Sequence, residues 1–253
     1  MKQDRTARHR RILAELEQRP SLRVSQLAER LRVSAETIRR DLDALTDEGL
    51  IDRTYGGATR RRSLEPCVSE RHNMKATERE RIARAACPRL AGSSHVMIGS
   101  GATTVHVARR LALEMNNLTV IAHSFGVATV LSLNPTITVL LAPGQYHAGE
   151  GAVHGAATLE WLDGFNVDWA ILGASGLDGE GAMDALIEAG EVYRKMASRA
   201  TRTMIVADAT KFERRFPALW STWTGIDSLV TDAQPPDEVA APARASGTEI
   251  IVA

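Results

Sequence analysis

Two groups of residues in this 253-residue chain could do chemistry. The first is the run Gly99-Ser100-Gly101-Ala102-Thr103-Thr104. Glycines let a backbone approach a ligand, and free N–H groups at a helix start, with Ser100, Thr103 and Thr104 hydroxyls beside them, favour an anion such as phosphate. The run is not a dinucleotide fingerprint, since the third Gly is missing and no acidic residue is well placed after the next strand; the Gly-Lys-Ser/Thr of a P-loop is absent too. Its counterpart is Ala207-Asp208-Ala209-Thr210-Lys211-Phe212. There Asp208 could accept from sugar hydroxyls and Lys211 could meet a phosphate. The purely structural alternatives are an ordinary tight turn and a local ion pair closing a loop. The second group is Ser34, Glu36, Thr37, Arg39 and Arg40, polar and basic side chains crowded at one helix start, the arrangement that reads base edges and phosphates of duplex DNA.

The elements that must hold the second group run in a recognisable order. Ile12, Leu13 and Leu16 give a first helix an apolar face amid arginines, and Pro20 ends it. Leu22-Arg23-Val24 could pair as a short strand, and Ser25 is expected to cap a second helix bearing Leu27, Ala28 and Leu31. After a turn at Arg32 and Val33, Ser34 is a good N-cap, Ile38, Leu42 and Leu45 recur at helical spacing, and Gly49 supplies a stop. Leu50 to Gly57 then reads as two short strands around a hairpin, with Arg53 and Tyr55 on it. Helix, strand, helix, tight turn, helix and hairpin is the winged helix-turn-helix order, whose second helix of the pair enters the major groove. A small helical subdomain with merely solvated arginines is the bland alternative.

From residue 95 the pattern changes to apolar runs alternating with helical segments. Strands are expected at His95–Ile98, Leu118–Ala122, Ile137–Leu141, Val167–Leu172, Thr203–Ala207, Asp227–Thr231 and Glu249–Val252. Helices are expected at Glu78–Leu90, Thr103–Met115, Ser124–Leu133 and Glu188–Ala200. Continuous apolar strands separated by helices imply α/β architecture, a largely parallel sheet covered on both faces. Ligands of such sheets sit outside the carboxyl ends of the strands, where both candidate loops fall.

Charge separates the two parts. The whole chain has 31 basic and 31 acidic side chains. Residues 1–62 hold 15 Lys or Arg against 10 Asp or Glu, and the remainder 16 against 21. A basic head on a mildly acidic body suits a phosphate-seeking module joined to a partner domain of other purpose. Length agrees: about 60 residues make a small winged helix and about 180 bury a sizeable core. The expected division is a winged helix-turn-helix at 1–58, a charged linker at 59–75 and an α/β effector-binding domain at 76–253. Cys67 and Cys87 are too few for a disulfide framework or a zinc site, no metal or cofactor is called for, and neither signal peptide nor membrane span is recognisable, so a cytoplasmic location is expected.

The first 58 residues resemble the DNA-binding half of the DeoR family of bacterial transcriptional regulators. The signature is Leu27-Ala28, Val33-Ser34, Thr37-Ile38-Arg39-Arg40-Asp41-Leu42 and Gly56-Gly57-Ala58. The similarity extends more loosely over the rest of the chain, through the Gly-rich Thr-Thr loop and the Asp-x-x-Lys-Phe segment at Asp208–Phe212. It implies a ribose-5-phosphate-isomerase-like effector domain that responds to phosphorylated sugars, with cations ahead of the first sheet strand, here Arg71 and Arg79. Departures concentrate at the sugar end. Gly99 stands where the family has Asp, Ala102 replaces the first Thr, Pro143-Gly144 replaces Gly-Gly, and Ala189 replaces a Glu, with Glu188 and Glu191 flanking it.

The expectation is therefore a sequence-specific DNA-binding regulator, a repressor of carbohydrate-metabolism genes, controlled by a phosphorylated sugar or similar small anionic metabolite. A homo-oligomer, dimer or tetramer, is expected, because one small head makes few phosphate contacts. The alternatives are a sugar-phosphate isomerase carrying a DNA-binding head, with Asp208, Glu188 and Lys211 as acid–base groups, and an architectural DNA binder with no ligand.

Overall fold

The computed structural model describes residues 5–19, 21–47, 50–60, 65–72 and 74–253. The expected helix ends at Pro20 and Gly49, and residues 61–64 and 73 of the expected linker, lie outside these. The chain divides into two compact units, Met1–Ser63 and Leu64–Ala253.

The first unit runs α1 (Arg5–Gln18), β1 (Ser21–Arg23), α2 (Val24–Leu31), α3 (Ala35–Asp47), β2 (Ile51–Thr54) and β3 (Gly57–Arg60). Its core joins Ile12 and Leu16 of α1, Leu27 and Leu31 of α2, and Ile38, Leu42 and Leu45 of α3, all essentially solvent-free. Each such side chain contributes about 1.5–3 kcal/mol on burial, which fixes three short helices that would not persist alone. Arg32 takes the left-handed conformation (φ 54°) between α2 and α3. Ser34 Oγ then accepts the Thr37 N–H at 3.1 Å, so the expected N-cap is in place. Ser25 is not the cap of α2. That helix begins one residue earlier, and the Gln26 side chain accepts the Arg23 N–H at 2.9 Å.

β1, β3 and β2 form an antiparallel sheet in that order, so β1 does pair with the hairpin. Gly57 is required there: a Cβ would stand 2.2 Å from the Leu22 carbonyl oxygen across the β1–β3 pair. This accounts for the closing Gly-Gly-Ala of the signature.

The second unit begins with α4 (Val68–His72) and α5 (Ala76–Ala86). Regular structure therefore continues into 59–75, the stretch read as linker: Thr59 and Arg60 complete β3, and α4 lies inside it. There follow β4 (His95–Ile98), α6 (Ala102–Glu114), β5 (Thr119–Ala122), α7 (Phe125–Leu131) and β6 (Thr138–Leu141). A hairpin of β7 (Gln145–His147) and β8 (Ala152–His154) precedes α8 (Ala156–Leu162) and β9 (Val167–Leu172). Next come β10 (Gly176–Leu177), β11 (Gly181–Asp184), α9 (Ile187–Ser198), β12 (Ala200–Val206) and β13 (Ala218–Thr222). The unit ends with β14 (Ser228–Thr231), α10 (Asp237–Ala245) and β15 (Glu249–Val252).

Seven strands form one parallel sheet in the order β15-β14-β12-β9-β4-β5-β6. Alternate residues of each strand face opposite sides, which explains the continuous apolar runs. Val96 and Ile98 meet α5, α6 and α7 through Ile82, Leu111 and Val127. Met97 faces the other side, in the cluster with Leu162, Val192 and Val239 of α8, α9 and α10. From β4 the chain proceeds outward through β5 and β6, then returns to the other side of β4 through β9 and β12. The strand order thus reverses between β4 and β9, and a crevice opens at their carboxyl ends.

Candidate nucleic-acid interface and effector pocket

In the first unit, α3 buries Ile38, Leu42 and Leu45 and leaves Ser34, Glu36, Arg39 and Arg40 exposed, with Thr37 half-buried. Glu36 lies 3.5 Å from Arg39 and 3.3 Å from Arg40. Such exposed pairs are worth at most about 0.5 kcal/mol, so both guanidinium groups can be surrendered to phosphate or a guanine edge. Arg53 lies 3.5 Å from Asp43, and Tyr55 stands fully exposed in the two-residue turn between β2 and β3.

The signature residue Asp41 has a different task. It is buried, accepts from Arg8 Nη2 at 2.9 Å, and lies 3.2 Å from His9 Nε2. Burial alone would raise its pKa, but the hydrogen bonds and charges of Arg8 and His9 hold it below the usual carboxylate range. Asp41 therefore clamps α1 to α3 and sets the pose of the recognition helix.

In the second unit, the loops after β4 and β9 meet at the sheet's reversal point. One pocket there is lined by Arg71, Arg79, Ser100, Gly101, Thr103, Thr104, Ser175, Glu150, Asp184, Tyr193 and Lys211 among others. The structure thus brings together seven of the eight residues expected to meet an effector. The eighth, Asp208, is buried just behind: its carboxylate accepts from Arg79 Nη2 at 3.1 Å and from the Thr210 N–H at 3.2 Å. Arg79 also donates to the carbonyls of Arg71 and Met74. Asp208 in this state shapes the pocket wall and braces Arg79.

The loop's donors divide into committed and open ones. The Ser100 N–H donates to His123 Nε2 at 3.0 Å, while His123 Nδ1 donates to the Val153 carbonyl. That pattern requires a neutral ring, and burial pushes His123 down to about 4. Tyr193 donates to the Ser100 carbonyl at 2.6 Å, so the Ser100 hydroxyl donates back to Tyr193 at 3.0 Å. Thr104 donates to the Gly101 carbonyl at 2.9 Å. What stays open is the Thr103 hydroxyl and the amides of Ala102, Thr103 and Thr104, which precede the first intrahelical bond of α6, Val105 N–H to Gly101 O. The Nε atoms of Arg71 and Arg79 are also buried without a protein partner.

Several pocket residues escaped sequence reasoning. Asp184, at the end of β11, is buried and pushed up to about 7 by desolvation, against the Leu186 N–H it accepts and with Glu150 adding to the rise. Glu188 and Glu191, which flank the family's missing Glu, are exposed on α9 and take no part in lining the pocket. Ser175 follows β9 and could have been suspected from that position once the strand order was known. Glu65 gave no signal in the sequence. Its buried carboxylate accepts from Lys211, from Ser175 Oγ at 2.5 Å and from Arg71 Nη1 at 3.2 Å. Burial and the nearby Arg214 charge pull the Lys211 ammonium down to about 8, and an anion in contact acts in the opposite direction.

Comparison with known proteins agrees with both halves. The DeoR-like helix-turn-helix domain model matches residues 8–63 and the DeoR C terminal sensor domain model matches residues 74–233. The chain is 34% identical to the glycerol-3-phosphate regulon repressor of Escherichia coli K12, over 92% of this chain and 93% of that protein. It is 30% identical to the HTH-type transcriptional repressor CsqR of the same organism, over 97% and 94% respectively. It is 28% identical to the lactose phosphotransferase system repressor of Lactococcus lactis, over 85% and 86%. Among solved structures it is similar to a D-ribose-5-phosphate isomerase in complex with phospho-erythronic acid, at 16% identity and a TM-score of 0.40, over 53% of this chain and 52% of that one. Among the described residues no helix is long and apolar enough to cross a membrane. With both family models matched and repressors aligned over nearly its full length, the chain belongs to the DeoR family and is a DNA-binding transcriptional regulator, not an enzyme.

Proposed function

We propose that this protein is a cytoplasmic repressor of genes for carbohydrate or phosphorylated-metabolite use, released from duplex DNA by a small phosphorylated sugar or related anionic metabolite. It reads DNA with Ser34 at the cap of α3 and Glu36, Thr37, Arg39 and Arg40 within it, aided by Arg53 and Tyr55 of the wing, in a head spanning residues 1–58. It senses its effector through residues 76–253 together with Arg71, and acts as a dimer or tetramer assembled through the larger unit, since one small head makes too few phosphate contacts for tight binding.

The observation that carries the effector reading is the convergence of Arg71, Arg79 and Lys211 on the open amides and Thr103 hydroxyl at the start of α6, at the sheet's reversal point. Three buried or nearly buried cations and a helix N-terminus suit a dianionic group and leave an uncharged sugar unrewarded. A glycerol-3-phosphate regulon repressor and a lactose phosphotransferase system repressor among the aligned relatives favour a phosphorylated effector. The test is a thermal-shift screen of sugar phosphates, polyol phosphates and their unphosphorylated parents. A ligand at 100 times its dissociation constant stabilises by about 2.7 kcal/mol. Stabilisation by a phosphorylated compound and not by its parent is the expected result; stabilisation by parents alone would refute the anion-sensing assignment.

A further inference from the structure

The donors expected to hold an effector phosphate are already holding a carboxylate of the protein itself. Glu65 is 3% exposed, and its two oxygens are bound by Lys211, Ser175 and Arg71, all of which line the pocket. Two cations and a hydroxyl around one carboxylate are the partners a phosphate needs. The enclosed space remaining beside them is about 20 Å³, enough for a water molecule.

We propose that Glu65 is a built-in competitor, a tethered stand-in for the effector's anionic group, and that effector binds only by expelling it. The inference rests on the effector pocket proposed above and concerns how that pocket is regulated. Removing the carboxylate without replacement would leave Lys211 buried without its counter-ion and Arg71 with Glu150 alone, which is costly, so the exchange is anion for anion. Arg71 keeps Glu150 at 2.5 Å throughout, and therefore stays in place to receive the newcomer. A phosphate carries more negative charge than a carboxylate and three acceptor oxygens, enough to engage the Thr103 hydroxyl and α6 amides that Glu65 leaves open. An uncharged sugar has nothing with which to displace it.

The position of Glu65 in the chain gives the exchange a consequence. It follows Ser63, the last residue of the DNA-binding unit, by two positions, and precedes α4, whose Val68 N–H is anchored to the Gly149 carbonyl at 2.8 Å. Expulsion of Glu65 frees the described residues between it and that anchor, Pro66 and Cys67, close to the boundary of the two units. A competitor of this kind lowers the apparent affinity by the fraction of time it is out.

The test uses the full-length protein and inorganic phosphate at constant ionic strength, with calorimetry for affinity and circular dichroism for folding. Glu65→Ala is expected to bind phosphate at least tenfold more tightly than wild type, to melt lower without phosphate, and to recover with it. Glu65→Gln, which keeps the shape and removes the charge, should bind more tightly as well and covers the case in which the Ala variant does not fold. In either background Lys211→Ala should abolish the gain. In hydrogen exchange, phosphate should raise the exchange of the wild-type peptide covering residues 65–68. Equal phosphate affinity in wild type and both Glu65 variants, still lost with Lys211→Ala, would overturn the competition while leaving the pocket standing. Absence of phosphate binding in every variant, or tight binding that ignores Lys211, would overturn both.

Discussion

Tyr193 occupies the space that a side chain at position 99 would need. A Cβ on Gly99 would lie 2.8 Å from Tyr193 Cε1 and 3.1 Å from Leu172 Cδ2. The glycine that stands in place of the aspartate expected from the family pattern packs against a phenol that bonds both the hydroxyl and the carbonyl of Ser100. Gly99→Ala should overpack this contact and destabilise the second unit by about 1–3 kcal/mol. In a Tyr193→Leu background the cost should fall below half of that in a double-mutant cycle; an unchanged cost would mean that the two positions are independent.

Asp41 and Arg8 hold the recognition helix against α1. Asp41→Asn removes the buried charge that Arg8 and His9 meet between α1 and α3 and should destabilise the first unit by about 3 kcal/mol. Because the folded pKa of Asp41 is lowered, its contribution is present above the unfolded value of 3.8 and is lost as pH falls through the folded value. Urea melts of the wild type and the variant should therefore converge in strongly acidic buffer. Parallel stability curves down to pH 2 would remove Asp41 from the account.

Arg40→Ala should weaken DNA binding by tenfold or more without lowering the melting temperature, since the side chain is exposed and a bidentate guanine contact is worth about 1–3 kcal/mol. Arg39→Ala should lower affinity too, with a reduced salt slope if its contact is phosphate. Gel-shift titration at two salt concentrations distinguishes these. Unaltered affinity in both variants would mean that another surface reads the DNA.

Anion binding should weaken as pH rises. Asp184, raised to about 7, is neutral below that value and charged above it, where it repels an incoming anion beside Glu150. Lys211, lowered to about 8, loses its charge over the next unit and acts in the same direction. Sulfate is the suitable probe because it does not titrate in this range. Its affinity should fall several-fold between pH 6 and 8.5, and Asp184→Asn should flatten the limb near pH 7 while keeping the one near 8. Sulfate affinity that is level or rising over the range would contradict these assignments. For folding the sign follows from the same shift: Asp184 binds more protons folded than unfolded between 3.8 and about 7, so its burial costs most above pH 7.

Legibility in the sequence followed how local the cause was. The recognition helix was readable because Ser34, Ile38, Leu42 and Leu45 state their cap and stripe within twelve residues. The parallel strands were readable because burial on both faces forces apolar runs such as His95–Ile98 and Val167–Leu172. The cap of α2 was misread because Gln26 reaches back to the Arg23 N–H, a contact that composition does not favour over Ser25. The short strands β10, β11 and β13 were missed because two to five residues carry little periodicity. Within the pocket, the Gly99–Thr104 loop and Lys211 were legible from their places after strands. Glu65, Glu150, Asp184 and Tyr193 were not, since each reaches the pocket from an element far along the chain and bears no local mark of it.

An anion bound at Arg71 and Lys211 should govern DNA affinity. The most direct measurement is the affinity of the full-length protein for a duplex recovered by in vitro selection, with and without the stabilising phosphorylated compound, in wild type and Lys211→Ala. Adding the compound should lower the affinity of the wild type at least tenfold and change that of Lys211→Ala less than twofold. An equal response in both proteins, or no response in wild type to a compound that demonstrably binds, would contradict it.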